Sequence, residues 1–286
     1  MLDHPAEWIT GVVKGFIASP ENSLGEPGGE PAWAEPLVGF SSGADSLYEL
    51  YKRDIGPFYA SPLELIRHAY PGNQFKAEGL TVVSWILPQT EATKRDHRAE
   101  THFPSERWAR SRIMGEDVNV KLRRHVVDRL GEEGVEAVAP MLSPLWRGET
   151  SAKYGYASTW SERHAAYAAG LGTFGLSDGL ITPVGKAMRA GSVVANVWVE
   201  PSPRPYEDHH EYCLFYSEGT CGKCVERCPI GAITLRGHDK NLCSRYLNMT
   251  QVYVPRHYGF DGYGCGLCQT GVPCESGIPR SMKEKK

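Results

Sequence analysis

Residues 221–233 read CGKCVERCPIGAI, and the rest of the chain can be organised around this stretch. Three thiols at C-x2-C-x3-C spacing precede a proline, after which an apolar run carries the backbone away. The chain has eight cysteines, all between Cys213 and Cys274, and residues 1–212 contain none. Structural cysteines would scatter, and a disulfide framework calls for an oxidising compartment. The opening stretch, MLDHPAEWITGVVKGF, has no basic start, twin arginine or long apolar segment, so the expected setting is cytoplasmic. Clustered thiols in a reducing compartment read as ligands for a soft metal.

C-x2-C-x3-C-P forms the last three quarters of the bacterial ferredoxin run. The usual first cysteine would stand at 218, where this chain has Glu218; the nearest upstream thiol is Cys213. Cys243, the pair Cys265-Gly-Leu-Cys268, and Cys274 follow. Eight ligands match two [4Fe–4S] clusters, and in two-cluster proteins the fourth cysteine of each run ligates the other cluster. That crossing assigns Cys213, Cys221, Cys224 and Cys274 to one cluster, and Cys228, Cys243, Cys265 and Cys268 to the other. Two four-cysteine zinc sites are the competing reading, because zinc also uses C-x2-C pairs. Zinc leaves the x3-C-P step into an apolar segment without a reason.

Working outward, the 286 residues are 41% hydrophobic and 23% charged, with mean hydropathy −0.38. This is ordinary globular composition with enough apolar residues for a sizeable core. A net charge of −3 and pI of 6.4 argue against a general nucleic-acid binder, which usually carries a basic face. No run of 18 apolar residues exists, so no membrane span is expected. Helical spacing of Trp8, Ile9, Val12, Val13, Phe16 and Ile17 predicts a helix over 5–18. Residues 19–45, rich in Pro, Gly and Glu, read as a loop. Ser61, Pro62 and Glu64 form a helix-start signature. Val118, Leu122, Val126 and Leu130 predict a helix over 115–133, and another is expected over 159–172, opened by Thr159. Strands are expected at 80–88, 135–140, 180–183 and 192–200. Alternating strands and helices indicate an α/β (α+β) layered fold. The Pro-rich, acidic stretch 201–210 marks a boundary, giving domains of 1–205 and 206–286.

A ferredoxin alone does not need some 200 residues ahead of its cysteines, so the larger part should hold an electron consumer. Here the sequence resembles the corrinoid and iron–sulfur reductases, which comprise epoxyqueuosine reductases and reductive dehalogenases. The resemblance runs from about Thr81 to Pro279. Its specific residues are Ser161-Glu162-Arg163, then AAYAAGLGTFGLSDGLITPVGKAMRAGSVVANV at 165–197, then the cysteine module. It implies a nitroreductase-like core holding base-off cobalamin, followed by a small two-cluster ferredoxin-like module. The clusters would pass electrons to cobalt, which drives reductive cleavage. Gly170, Leu171, Gly172 and Gly175 are then candidate cofactor contacts, since glycines permit close backbone approach to a flat ligand. Epoxyqueuosine reductases carry an aspartate six residues before the Glu-Arg pair, whereas this chain has Tyr156 there. Dehalogenases use a tyrosine as the acid in this region. Tyr156 is therefore the candidate proton donor, with Lys186 and Arg189 as cations that could stabilise its phenolate; Tyr154 and Ser158 are neighbouring alternatives.

The leading expectation is a corrinoid- and iron–sulfur-dependent reductase performing dehalogenase-like cleavage on a small organic substrate. It would draw electrons from an external low-potential donor of ferredoxin or flavodoxin type, with no membrane partner and with nucleic acid disfavoured by the net charge. Alternatives are epoxyqueuosine reduction in tRNA, an electron-transfer or corrinoid-reducing protein without its own substrate, and a zinc-stapled binding protein. The His209-His210 pair beside Asp208 reads as solvated linker, and the tail from Arg280 as frayed. Residues 94–129 hold ten Lys/Arg against six Asp/Glu and read as a solvated helix face.

Overall fold

The computed structural model describes residues 2–280. The first half runs α1 (Pro5–Ile17), β1 (Leu37–Ser42), α2 (Ser46–Asp54), α3 (Pro62–Ala69), β2 (Thr81–Pro88), α4 (Glu91–Ala99) and α5 (Glu106–Glu132). Then come β3 (Ala137–Val138), the hairpin β4 (Gly148–Ser151) and β5 (Gly155–Ser158), α6 (Glu162–Ala168), the pair β6 (Thr173–Phe174) and β7 (Leu180–Ile181), and β8 (Met188–Ala195). The cysteine-bearing part adds α7 (Leu214–Glu218), α8 (Lys223–Glu226), β9 (Ile233–Thr234), β10 (Gly237–His238) and α9 (Lys240–Tyr258).

A mixed α/β architecture is observed, built on an antiparallel four-stranded sheet ordered β1-β2-β8-β3. Strand β2 is buried at all eight positions because helices cover both faces. Alternation divides its side chains. Val83, Trp85 and Leu87 meet α1 and α5 through Ile9, Val13, Leu122 and Val126. Val82 points the other way, into a cluster with Tyr48, Tyr59, Leu65 and Trp160, while Ile86 packs with Ala166 and Ala190. Each fully buried aliphatic side chain contributes about 1.5–3 kcal/mol, so these two layers carry the stability of this half. Trp85 also fixes its partner: it pairs with Gly191, where an added Cβ would lie 2.4 Å from the indole nitrogen.

Several expectations hold. The helix from Pro5 buries Ile9, Val13 and Ile17, and the capping box at Ser61 and Glu64 is formed. Others are corrected. The loop expected over 19–45 contains β1, whose LVGFSS sequence lacks a clean period of two. The helix expected from 115 begins at Glu106, capped by the Ser105 hydroxyl. Thr159 does not open α6: its hydroxyl donates to the Leu145 carbonyl, and Ser161 takes the N-cap position. Helix α6 stops at Ala168 because Gly170 turns left-handed, at φ 77°. The strand expected at 192–200 is β8, starting at Met188 and ending at Ala195, so Trp198 falls outside it and is exposed. The strand expected at 180–183 is only the two-residue β7, and that at 135–140 only the two-residue β3. The tail expected to fray lies outside the described residues from 281 onward. Among the described residues no helix is long and apolar enough to cross a membrane.

Candidate functional site

Cys213, Cys221, Cys224 and Cys274 line one cavity, walled by Leu176, Ile181 and Val272. Cys213 is the N-cap of α7 and Cys224 lies within α8. Cys274 is placed by a turn whose carbonyl accepts the Lys186 N–H at 2.8 Å. Burial pushes the Cys224 thiol up to about 11, reinforced by Cys268, Cys274 and Cys213 nearby. Burial likewise raises Cys274, with Cys213 and Cys221 adding to the effect.

Cys228, Cys243, Cys265 and Cys268 form a second neighbourhood. Burial raises Cys243 to about 11, with Cys268 and Cys228 adding repulsion; Cys265 rises to about 12 for the same reasons, facing Cys268, Cys243 and Cys228. All eight cysteines are free thiols. The loop carrying Cys265 and Cys268 rests on the larger half of the molecule. Gly266 packs so closely on Trp108 that a Cβ would come within 2.2 Å of the indole, and Trp108 stacks on His97 at 4.1 Å. Arg227, next to Cys228, donates to the carbonyls of Leu267, Thr270, Glu100 and His97. Phe103 stacks on Tyr253 of α9 at 3.9 Å, and Tyr258 donates to the Pro104 carbonyl.

The glycine turn differs from its expected use. A Cβ at Gly170 would lie 2.2 Å from the Pro203 carbonyl oxygen, and one at Gly172 2.2 Å from that of Ile181. At Gly175 the neighbour is the Ile181 side chain, and Leu171 is buried with Ile86 and Ala190. The close approach these glycines permit is therefore to the chain's own backbone. Close packing at Gly170 and Gly172 is accounted for without a flat ligand.

The proposed acid and its cations also separate. Tyr156 lies on β5, 60% exposed, with its hydroxyl over the Gly148 position of β4. Lys186 is 3% exposed and sits among Cys224, Cys268 and Cys274, its ammonium 3.2 Å from the Ser177 hydroxyl. Arg189 pairs with Glu116 at 3.0 Å, and burial with neighbouring Arg112 lowers it to about 10. The contacts of both cations are these thiols and this carboxylate, not the Tyr156 phenol. Of the alternatives, Ser158 donates to the Trp160 carbonyl, while Tyr154 donates to Asp54 under the ammonium of Lys240.

Sequence reasoning missed an ionic network in the supposedly solvated run. Arg123 is 1% exposed and pairs with Glu116 and Glu162; Glu162 also accepts the Ser192 hydroxyl. Burial holds the Glu162 carboxyl above its ordinary range despite Arg123. Four residues separate Val118 from Leu122, which pointed to the apolar stripe, but nothing in the spacing marks Arg123 as inward. Asp178 was missed too. At φ 55°, it accepts Arg163 on its carbonyl and faces His238 and Lys240 with its carboxylate.

No family model matches the chain. It is 34% identical over 124 residues to an epoxyqueuosine reductase of Bacillus anthracis, covering 41% of this chain and 30% of that one. An epoxyqueuosine reductase of Lactococcus garvieae is 29% identical over 170 residues, covering 57% and 43%. The match thus spans less than half of either curated relative. A catabolic reductive dehalogenase solved with 3-bromo-4-hydroxybenzoic acid shares the fold at TM-score 0.51 and 14% identity, over 97% of this chain and 38% of that one. An epoxyqueuosine reductase solved with a tRNA stem loop aligns at TM-score 0.49 and 18% identity, over 97% and 67%. The expectation against nucleic acid rested on net charge, a whole-chain sum that says little about any one face. By sequence, part of the chain is similar to epoxyqueuosine reductases, which are corrinoid and iron–sulfur reductases.

Proposed function

We propose that this chain is an oxidoreductase that holds two [4Fe–4S] clusters and uses them to deliver electrons for reductive cleavage. The observation that carries this reading is the grouping of the eight cysteines. The set expected from ligand crossing, Cys213, Cys221, Cys224 and Cys274, rings one cavity, and the other four are mutual neighbours. Buried thiols that raise one another's proton affinity form a donor set suited to cationic metal, which would displace those protons. Among the described residues no three Cys, His, Asp or Glu converge as ligands of a single ion do. A cubane instead offers four irons at separate corners, so its ligands surround a space. This favours clusters over zinc, and with them a ferredoxin-like module over 206–286 on a nitroreductase-like core over 1–205.

Corrinoid comes to this chain through its family. When bound it would supply low-valent cobalt; the closed turn at Gly170–Gly175 does not fit as its cradle, and no residue is assigned to hold it. Electrons would enter from an external low-potential donor of ferredoxin or flavodoxin type. The sequence relatives favour an epoxyqueuosine-type substrate within tRNA. The second reading, a small halogenated molecule, is favoured by Tyr156 standing where epoxyqueuosine reductases have aspartate.

The test is anaerobic reconstitution with iron, sulfide and cobalamin, followed by turnover with a reduced low-potential donor. An epoxyqueuosine-modified tRNA stem loop and 3-bromo-4-hydroxybenzoic acid serve as the two substrates. Conversion of the stem loop alone supports the first reading, and bromide release alone the second. Reduction of cobalamin with neither substrate consumed would replace both with an electron-transfer role.

A further inference from the structure

Lys186 is a buried cation placed where a solvent-screened one would have little effect. Only 3% of it is exposed, and it enters the fold at the turn whose backbone is tied to Cys274 and Glu275. Gly179 leaves the room its stem requires: a Cβ there would lie 2.8 Å from the Lys186 Cδ. The ammonium reaches two kinds of neighbour. Lys186 lines the same cavity as Cys274 and Cys224 of the first set. Its ammonium also lies close to Cys268 of the second set and 3.2 Å from the hydroxyl of Ser177, which is 6% exposed and itself neighbours Cys268. The path Cys274–Lys186–Ser177–Cys268 thus joins the two cysteine sets through one positive charge and one hydroxyl.

We propose that Lys186 and Ser177 form a charged bridge that raises the reduction potentials of both clusters together. The inference rests on the two-cluster reading above. Each one-electron reduction adds negative charge to a cluster, and a cation within a few ångströms stabilises the product more than the reactant. Hydrogen bonds to cluster-ligating sulfur act in the same direction. Low local dielectric makes the interaction far stronger than at the surface. The ammonium faces both sets, whereas the Ser177 hydroxyl neighbours Cys268 alone, so the two residues have separable effects. Lys186 is then a positioning charge for electron transfer, in place of the substrate-side role expected from the sequence.

The test is a redox titration followed by electron paramagnetic resonance on anaerobic holoprotein, with iron and sulfide counted in every sample. Lys186→Met is expected to keep its iron and lower the equilibrium constant for reduction of each cluster about tenfold, ~59 mV for a one-electron couple. Lys186→Arg should recover most of that shift. Ser177→Ala, which removes only a hydroxyl, should lower the cluster held by Cys268 and leave the other within error. That variant decides the matter if Lys186→Met loses its clusters. Full iron content with unchanged potentials in Lys186→Met, or equal shifts of both clusters in Ser177→Ala, overturns the bridge. Wild-type protein that binds fewer than about eight iron would instead overturn the two-cluster reading on which the bridge depends.

Discussion

Arg123 and Glu162 meet 3.1 Å apart inside the larger half of the molecule, the arginine side chain 2% exposed and the glutamate 12%. The pair joins α5 to the start of α6, and Glu116 closes the other side of the guanidinium. Buried pairs contribute little beyond a well-packed apolar substitute, but breaking one strands an uncompensated charge. Arg123→Met should therefore destabilise the fold by about 3–5 kcal/mol. Thermal unfolding of the anaerobic holoprotein measures this. A loss below about 1 kcal/mol would show that water reaches Glu162 freely.

His164 gives the fold an acid limit. Burial lowers it to about 3, with Arg163 and Lys240 adding repulsion, while its ring packs against Tyr51 and Phe174. A histidine depressed in the folded state is protonated more readily in the unfolded chain. Between about pH 6.5 and 3 the unfolded state therefore binds the extra proton, and stability falls as pH falls. His164→Asn should be less stable at neutral pH, through lost ring packing, but should show a shallower decline below pH 6.5. Unfolding midpoints from pH 7.5 to 5 compare the slopes; parallel slopes would mean another group sets the acid limit.

The cysteine grouping can be tested residue by residue. Cys228→Ala should abolish the spectroscopic signal of the cluster held with Cys243, Cys265 and Cys268, and leave the cluster of Cys221 and Cys224. Wild type should carry about eight iron and eight sulfide, as two cubanes require. If Cys228→Ala and Cys221→Ala remove the same signal, the crossed assignment is wrong.

The parts legible in the sequence are those where local chemistry decides. The apolar stripe of α1, the capping box at Ser61 and the all-apolar β2 each declare themselves within one segment. The cysteines stood out as a set because thiols are scarce and their spacing is restrictive. Residues whose role depends on a distant neighbour were not. Gly191 looks like a strand breaker until Trp85 is placed across from it. Lys186 was expected beside the Tyr156 phenol, and only the fold shows it buried beside Ser177 and the cysteine cavity. Gly170 and Gly172 were correctly read as positions of close approach, but nothing local reveals that Pro203 and Ile181 are what approaches.

We propose Tyr156 as the proton donor, because the hydroxyls beside it are engaged. Its neighbour Tyr154 is occupied: the hydroxyl donates to Asp54, and burial followed by that carboxylate raises its proton affinity. Ser158 is turned inward onto the Trp160 carbonyl. Of these three residues Tyr156 is the most exposed, at 60% against 40% for Tyr154, on a hairpin whose Tyr154 ring lies 5.7 Å from the Lys240 ammonium of α9. The hairpin therefore borders the cysteine-bearing half. Lys186 and Arg189 are engaged elsewhere, and Lys153 and Lys240, over the neighbouring Tyr154 ring, are the candidate cations for a Tyr156 phenolate. Tyr156→Phe keeps the ring and removes only the transferable proton, so cluster spectra and potentials should not change. Turnover should fall by about 10²–10⁴, the usual contribution of a general acid. Lys240→Met should produce a smaller loss if that ammonium supports the phenolate. Unchanged turnover in Tyr156→Phe would transfer the role to the substrate's own proton or to solvent, since the flanking hydroxyls are already committed.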